Sequence, residues 1–485
     1  MRTSIHRGGI DMQRHLFFLL GAIVINLTGC TMTPEYTKPE APIPAAWPTG
    51  AAYKDIQAAA GAPTAAELRW QKFFTDERLK KILETALNNN RDLRLAALNV
   101  QRARALYGIQ RAELLPTVNA NAGWSKQHEP ASTFGSPEGE NGGSVTTERY
   151  DVNLGIISWE IDFFGRIRSL KDRALEEYLA TDQARISAQI ALVSAVAEAY
   201  LTLAAERENI KLAQSTLESR QAAYDLIKRR YEIGIANELD LRRAQTQTEA
   251  ARGDVVRYIQ LAALDKNALN LLVGSPVPDE LLPANLDGVK PPQEVSAGLS
   301  SEVLLSRPDI LAAEHQLKAA NANIGAARAS FFPRISLTAA AGTASGDLSG
   351  LFKSGSEAWS YAPRMVMPIF DARTWPALRV TKVQKEIAVA QYAKAVQTAF
   401  REVADALAVR GTVDRQFSAQ QSLVHASAEN YRLSNVRYTK GIDNYLGVLD
   451  AQRSLYAAQQ GFIAVHLRKL ANQVKLYAVL GGGSE

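Results

Sequence analysis

The chain of 485 residues contains one segment twice, and this internal duplication restricts the possible folds more than any other feature. Residues 90–116 correspond to residues 307–333, and both stretches end in Leu-Pro or Phe-Pro. Farther along, the Arg-Tyr pair at 230–231 returns at 437–438, and Leu-Val-Gly at 272–274 returns as Val-Leu-Gly at 479–481. Matches in the same order over about 180 residues indicate two copies of one structural unit.

Each copy contains a stretch in which apolar and polar residues alternate, and we predict one β-hairpin from each, over residues 117–160 and 334–370. A period of two residues is typical of strands with one apolar face. The last strand, Trp359–Met367, is less regular and contains Pro363. The alternating apolar residues are Val118, Ala120, Ala122, Trp124, Tyr150, Val152, Leu154 and Ile156, followed in the second copy by Ile335, Leu337, Ala339 and Ala341.

A long stretch without helix breakers follows each hairpin. Residues 166–233 contain neither proline nor glycine, and residues 377–440 contain only Gly411. A continuous helix over the first stretch would be about 100 Å long. Apolar residues recur at steps of three and four along the second stretch, as in a coiled coil. Such helices must pack against long neighbours, and a coiled-coil rod with appended hairpins is the simpler alternative.

The hairpins decide between these architectures. Strands that alternate apolar residues with Asn, Ser, Thr and Gly are typical of a transmembrane β-barrel, with lipid on one side and a polar lumen on the other. Four strands cannot close, and an open edge in hydrocarbon leaves backbone groups unpaired. We therefore expect a barrel shared between two or three chains. A water-exposed sandwich would leave the aromatic residues near the strand ends unexplained.

The N-terminus predicts a lipoprotein. An apolar run at residues 16–25 has the length of a secretory signal, and it is followed by Leu27-Thr28-Gly29-Cys30, which resembles a lipobox cut between Gly29 and Cys30. Cys30 is the only cysteine and would carry N-palmitoyl and S-diacylglycerol groups, enough for stable anchoring in a bilayer. Six prolines between residues 31 and 65 predict an extended tether.

These features predict six segments along the chain. They are a signal peptide (1–29), a lipidated N-terminus and tether (30–80), repeat one (81–275), a linker (276–300), repeat two (301–482) and a tail (483–485).

Composition excludes several other classes of protein. A single cysteine rules out a disulfide framework or an iron–sulfur cluster. A formal charge of +5 without a basic stripe argues against nucleic-acid binding. The six histidines are scattered and no phosphate-binding loop occurs, so we predict no catalytic residues, metal, cofactor or enzyme activity.

The lipobox, the sequence Asp-Phe-Phe-Gly at 162–165, Arg-Pro-Asp at 307–309, Ile-Gly-Ala-Ala-Arg at 324–328 and the two Arg-Tyr…Gly turns together resemble the TolC-type outer membrane factors. The likeness is in particular to the OprM/CusC-like efflux lipoproteins (NodT family) of resistance–nodulation–division (RND) pumps. This resemblance implies a mainly helical chain with a small transmembrane β part. It also implies a homotrimer in which a twelve-stranded β-barrel continues into a twelve-helix periplasmic α-barrel.

The resemblance also implies roles for particular residues. Residues at the two turns would dock a periplasmic adaptor: Arg230, Tyr231, Gly234, Arg437, Tyr438 and Gly441. Residues of the segment that follows the second turn would form the periplasmic gate: Leu446, Asp450 and Arg453. Because Gly447 stands where some relatives carry a second acid, only one ring of aspartates is expected here. Purely structural turn glycines and a solvated Asp450 are the alternatives.

The predicted function is that of a gated duct in the outer membrane of a Gram-negative bacterium, receiving substrates from an adaptor and an inner-membrane RND pump. The alternatives are a non-conducting lipoprotein scaffold, or a duct for metal-ion efflux or type I secretion. The sequence does not identify the transported substrate.

Overall fold

The computed structural model describes residues 31–54, 63–65, 68–130, 144–296, 298 and 300–482. The predicted signal peptide, Cys30 and the tip of the first hairpin (131–143) lie outside these residues. Within the described chain the helices are α1 (Trp70–Phe73), α2 (Glu77–Asn89), α3 (Arg91–Ala112), α4 (Arg166–Glu232), α5 (Glu238–Val273), α6 (Pro308–Ala329), α7 (Thr374–Thr439) and α8 (Tyr445–Val479). The strands are β1 (Val118–Glu129), β2 (Val145–Ile161), β3 (Arg334–Ser345) and β4 (Glu357–Val366).

The chain divides into two compact units, each assembled from both copies of the duplicated segment. Of the described residues, the first unit, here called the sheet unit, comprises 31–39, 102–130, 144–179 and 315–390. The second, here called the helical unit, comprises the described residues within 40–101, 180–314 and 391–482. Helices α4 and α7 contain 67 and 66 residues, as expected for stretches with almost no helix breaker.

The sheet unit contains one antiparallel sheet with strand order β1-β2-β3-β4. Its register places apolar residues opposite one another, for example Val118 opposite Ile156 and Ala341 opposite Trp359. The polar residues that alternate with them also lie opposite one another, as Asn121 does opposite Asn153. One face of the sheet is therefore apolar and the other polar, and Trp124 and Trp359 remain largely exposed on the apolar face.

A bulge in β2 preserves this division of faces. Between Ile156, which pairs with Ala339, and Trp159, which pairs with Leu337, β2 contains one residue more than β3. Without the extra residue, Trp159 and Ile161 would turn to the polar face, because a shift of one residue inverts every side chain. The hairpin alternation is thus confirmed, with β4 ending one residue before the predicted Met367.

The helical unit has an extensive apolar core. Tyr477 stacks on Phe73 with ring centroids 3.9 Å apart and an interplanar angle of 7°. Five residues of the coiled-coil-like stripe predicted on α7 are buried in this core: Tyr392, Val396, Ala399, Val403 and Ala406.

The duplicated residues 90 and 307 perform equivalent tasks in the helical unit. The Asn90 amide donates to the Leu272 carbonyl (2.8 Å) near the end of α5. The Arg307 guanidinium donates to the equivalent Val479 carbonyl (2.5 Å) near the end of α8, and it also binds Asp309 and Glu402. Both residues satisfy a helix-terminal carbonyl that has no partner within its own helix.

The predicted tether is extended but does not run freely. In the sheet unit, Asn321 of α6 donates to the Pro34 carbonyl (2.8 Å) and Thr33 bonds Ser169 (3.0 Å). In the helical unit, Trp47 is buried and stacks on Phe400 of α7 (5.5 Å). The prolines prevent regular structure, while the side chains between them supply packing contacts that composition alone did not predict.

Candidate functional site

Two helix–helix turns of the helical unit carry the residues predicted to dock an adaptor. Gly234 follows α4 with φ of 78°, and Gly441 follows α7 with φ of 72°. A Cβ at either position would meet nothing within 4 Å, so glycine serves the left-handed backbone rather than close packing. The amide of Ile235 donates to the Arg230 carbonyl (2.8 Å), closing α4 in a Schellman-type end.

The helices that leave these turns begin with equivalent asparagine caps. The Asn237 side chain accepts from the Asp240 amide (2.8 Å) at the start of α5, and the Asn444 side chain accepts from the Leu446 amide (3.1 Å) at the start of α8. Asparagine is among the best N-capping residues. The Asn repeated seven residues after the Arg of each Arg-Tyr pair could have predicted these caps.

The two turns are in direct contact with each other. Arg230 of the first donates to the Tyr438 hydroxyl of the second (2.9 Å), and its guanidinium lies 5.3 Å from the centre of that ring. Arg437 instead binds Asp443 within its own turn. The predicted docking residues therefore differ in their availability, since Arg230 and Tyr438 are half-buried against each other whereas Tyr231 and Arg437 are exposed.

An apolar cluster lies next to the turns, between the helices that enter and leave them. Ile227 of α4, Ala244 of α5 and Tyr445, Val448 and Leu449 of α8 are buried together. Burial raises the pKa of the Tyr445 hydroxyl to about 12. By contrast, apolar side chains at the turns themselves are exposed: Ile233, Ile235, Leu239, Ile442 and Leu446.

The predicted gate residues share one exposed side of α8. Leu446, Asp450 and Arg453 follow at steps of four and three, a spacing that places them on one helix face. Leu446 is 49% exposed, and Asp450 and Arg453 form an exposed ion pair at 2.5 Å. This side of α8 points away from the buried cluster. Within the described single chain, the Asp450 carboxylate pairs with Arg453 of the same helix.

Contacts on the other side of α8 hold it against α4 and α5, and sequence reasoning did not find them. The Tyr456 hydroxyl donates to Asp254 of α5 (3.2 Å), and Gln460 donates to the Tyr258 hydroxyl (2.7 Å). The Gln452 amide donates to Ser219 of α4 (3.3 Å). Each pair joins residues about 200 positions apart, so no local pattern could have indicated them. We call these three hydrogen bonds the α8 latch.

Arg220 of α4 lies beside this latch and is itself buried. Its guanidinium faces the Tyr456 ring at 5.4 Å and donates to the Gln247 carbonyl (3.1 Å), while its Nε has no partner. Burial lowers the pKa of the guanidinium, and the nearby Tyr456 and Asp254 oppose that shift. A buried cation at the junction of three helices makes the packing sensitive to displacement of α8.

The exposed apolar sheet face, the duplicated long helices and the paired turns are features of outer membrane channel proteins. The family described as "Outer membrane efflux protein" matches residues 82–275 and 299–482, and the chain belongs to this family. The protein is thus an outer membrane efflux channel component in a Gram-negative bacterium.

Particular relatives agree with this membership. The "Toluene efflux pump outer membrane protein TtgF" of Pseudomonas putida is 48% identical over 477 residues, covering 97% of both chains. A crystal structure of a membrane protein from Pseudomonas aeruginosa is 40% identical with a TM-score of 0.84, covering 93% of this chain and all of that one. The open state of the Neisseria gonorrhoeae MtrE outer membrane channel is 39% identical with a TM-score of 0.82, covering 94% and 99%.

These relatives and the observed elements confirm the predicted fold class, that of a TolC-type channel, together with the predicted efflux function and the outer membrane location. Among the described residues, no group of three or more His, Cys, Asp and Glu side chains is arranged to hold a metal ion.

Proposed function

We propose that three copies of this chain assemble into one gated duct, which conducts substrates from an RND pump and its periplasmic adaptor through the outer membrane. The observation that carries the proposal is the four-stranded sheet with one exposed apolar face and two unpaired edges. Such a sheet suits lipid only after its edges are closed. Twelve strands enclose a lumen, whereas eight leave an interior filled by side chains.

The two turns are the proposed docking site for the adaptor. Exposed Ile233, Ile235 and Ile442 offer apolar contacts beside the polar Tyr231 and Arg437. An apolar centre with a polar rim is the usual composition of a protein interface. We assign Arg230 and Tyr438 the task of joining the turns into one surface, with Gly234 and Gly441 shaping them. Site-specific photo-cross-linking from position 235 should capture the adaptor, and failure from every exposed turn position would contradict this assignment.

The periplasmic gate is proposed to form where three α8 helices converge. Leu446 would supply an apolar ring, and Asp450 with Arg453 a charged ring just beyond it. Three carboxylates near one axis repel one another and attract cations, and the Arg453 of each helix offsets part of that repulsion. An apolar constriction followed by a ring of charge restricts ion flow.

Single-channel recording in planar bilayers tests this gate. The double variant Leu446→Ala, Asp450→Ala should raise the conductance of the closed channel, because it removes both rings while leaving the buried side of α8 intact. The matched control is Leu239→Ala with Arg243→Ala, the equivalent positions on α5. Equal conductance in the wild type and the gate variant would contradict the gate, and a protein without any current would favour a scaffold.

Cys30 is the proposed lipid-anchoring residue. The signal peptide would be cut off after Gly29, and the new N-terminal Cys30 would be acylated on its sulfur and its amine. The proposed segments keep the predicted bounds, with signal peptide 1–29, tether 30–80, repeats 81–275 and 301–482, linker 276–300 and tail 483–485. Mass spectrometry of the mature N-terminal peptide should detect the lipid on the wild type and not on Cys30→Ser.

A further inference from the structure

The polar face of the sheet contains two arginines at the end where the strands meet the helices. Arg334 of β3 and Arg364 of β4 lie on this face, because they alternate with the apolar Ile335 and Met365. We propose that these two arginines of each copy form a cationic ring, here called the arginine ring, which favours the passage of anionic substrates through the duct. This inference rests on the proposed function, since a ring requires three copies whose polar faces turn towards one lumen.

The two arginines lie in neighbouring rows of the polar face. Arg334 pairs with Val366, and Arg364 pairs with Ser336, so the two rows are two residues apart along the strands. This spacing corresponds to about 7 Å. Both side chains are exposed. Three copies would therefore place six guanidinium groups in one narrow band of the lumen.

The carboxylates at the same end of the sheet are already paired with other arginines. The β2–α4 and β4–α7 junctions contain three carboxylates, and each forms an ion pair with an arginine close to it in sequence. The pairs are Glu160 with Arg166 (2.8 Å), Asp162 with Arg168 (3.3 Å) and Asp371 with Arg373 (2.9 Å). Among the described residues, neither Arg334 nor Arg364 has a hydrogen-bond or ion-pair partner. Two positive charges per copy therefore remain unpaired.

The other charged residues on the polar face of the four described strands lie towards the hairpin tips. They are Arg149 and Asp151, which pair with each other at 3.6 Å, and Glu129 at the end of β1. The strand registers place Glu129 about fourteen residues beyond Arg364, a separation of about 45 Å along the strands. The Debye length at physiological salt is only about 8 Å, so Glu129 does not neutralise the arginine ring.

An open cavity of about 570 Å³ gives an organic anion space beside these charges. Arg334 lines the cavity together with Val366 of the same face and with Ser330 and Thr374. Guanidinium and hydroxyl groups are hydrogen-bond donors suited to carboxylate and phosphate oxygens. A ring of fixed positive charge also raises the local concentration of anions in a channel and repels cations. Carboxylate- or phosphate-bearing substrates are therefore the class that the arginine ring favours.

Ion selectivity in planar bilayers tests the arginine ring. The reversal potential of the full-length channel in a tenfold KCl gradient gives its chloride-to-potassium permeability ratio. This ratio should fall at least about threefold in the double variant Arg334→Gln, Arg364→Gln, because glutamine keeps the polarity and removes the charge. The matched control is Arg149→Gln with Asp151→Asn, which removes one charge of each sign from the same face and should leave the ratio unchanged. The proposed Asp450 ring is present in every variant, so the comparison isolates the arginine ring.

A second variant separates charge from pore shape. Arg334→Lys with Arg364→Lys changes both side chains but keeps their charges, and it should retain the permeability ratio of the wild type. The difference between the wild type and the glutamine variant should also shrink when the mean KCl concentration rises from 0.1 M to 1 M. Its reason is that the Debye length falls from about 10 Å to about 3 Å over this range.

Each outcome decides a different point. A conducting glutamine variant with the wild-type ratio would overturn the arginine ring and leave the duct intact. An equal fall in the glutamine and lysine variants would assign the effect to pore shape and would also overturn the arginine ring. A wild-type protein that forms trimers but carries no current would instead contradict the proposed function itself.

Discussion

Removal of one hydroxyl from the α8 latch should shift the channel towards its open state. Tyr456→Phe deletes the hydrogen bond to Asp254 and leaves the ring, with its contact to Arg220, in place. The acceptor is a carboxylate, but the bond is 3.2 Å long and Asp254 is partly exposed. We therefore assign this hydrogen bond about 1 kcal/mol, the value typical of a bond between neutral groups. If the bond is made only in the closed state, its loss corresponds to about fivefold in the open-to-closed ratio for one subunit, and about 100-fold if three subunits move together.

Open probability in planar bilayers measures this shift. The matched control is Tyr477→Phe, which removes the same atom from a buried tyrosine whose hydroxyl donates to the Leu68 carbonyl (2.7 Å), far along α8 from the gate residues. The control should destabilise the fold without opening the channel. If Tyr456→Phe and Tyr477→Phe give the same open probability as the wild type, the latch does not restrain the gate and the reasoning is refuted.

Two further predictions concern stability. Arg307→Ala should cost about 3 kcal/mol in the free energy of unfolding, because it leaves Glu402 and the Val479 carbonyl without their partner, whereas Asn90→Ala at the equivalent position should cost about 1–2 kcal/mol. Chemical denaturation in detergent measures both, and equal losses would contradict the argument. Burial lowers the pKa of His466, and the nearby Lys469 lowers it further. The carboxylates of Asp287 and Glu208 act in the opposite direction. The contribution of neutral His466 to stability is therefore present above pH 6.5 and is lost as the pH falls through the lowered pKa. The variant His466→Gln should consequently show a flatter decline in melting temperature below pH 6.5. An unchanged slope would contradict the assignment.

Local patterns were sufficient to predict most of the elements. The absence of proline and glycine over residues 166–233 predicted α4 to within a residue, since helix formation depends on neighbours three and four positions apart. The repeated Gly234 and Gly441 predicted both turns, because a left-handed backbone position selects glycine. The alternation in the hairpins predicted an apolar face, because successive side chains of a strand point to opposite sides.

The sequence was less informative about how these elements meet. The extra residue of β2 before Trp159 became visible only when β2 was aligned with β3, because a bulge is defined by the partner strand. The prolines predicted an extended tether, but no local pattern indicated that Trp47 between them is buried against α7. Burial of this kind depends on the shape of a surface that the tether sequence does not contain.

The sequence by itself therefore determined the duplication, the helices, the turns and the alternating strands, all of which depend on neighbours along the chain. Only the tertiary structure decided that Arg230 joins Tyr438 and that Tyr456 joins Asp254, contacts between residues about 200 positions apart. The physical reason is that a hydrogen bond requires its two groups within about 3 Å, and for residues so far apart in the chain that proximity is set by helix packing.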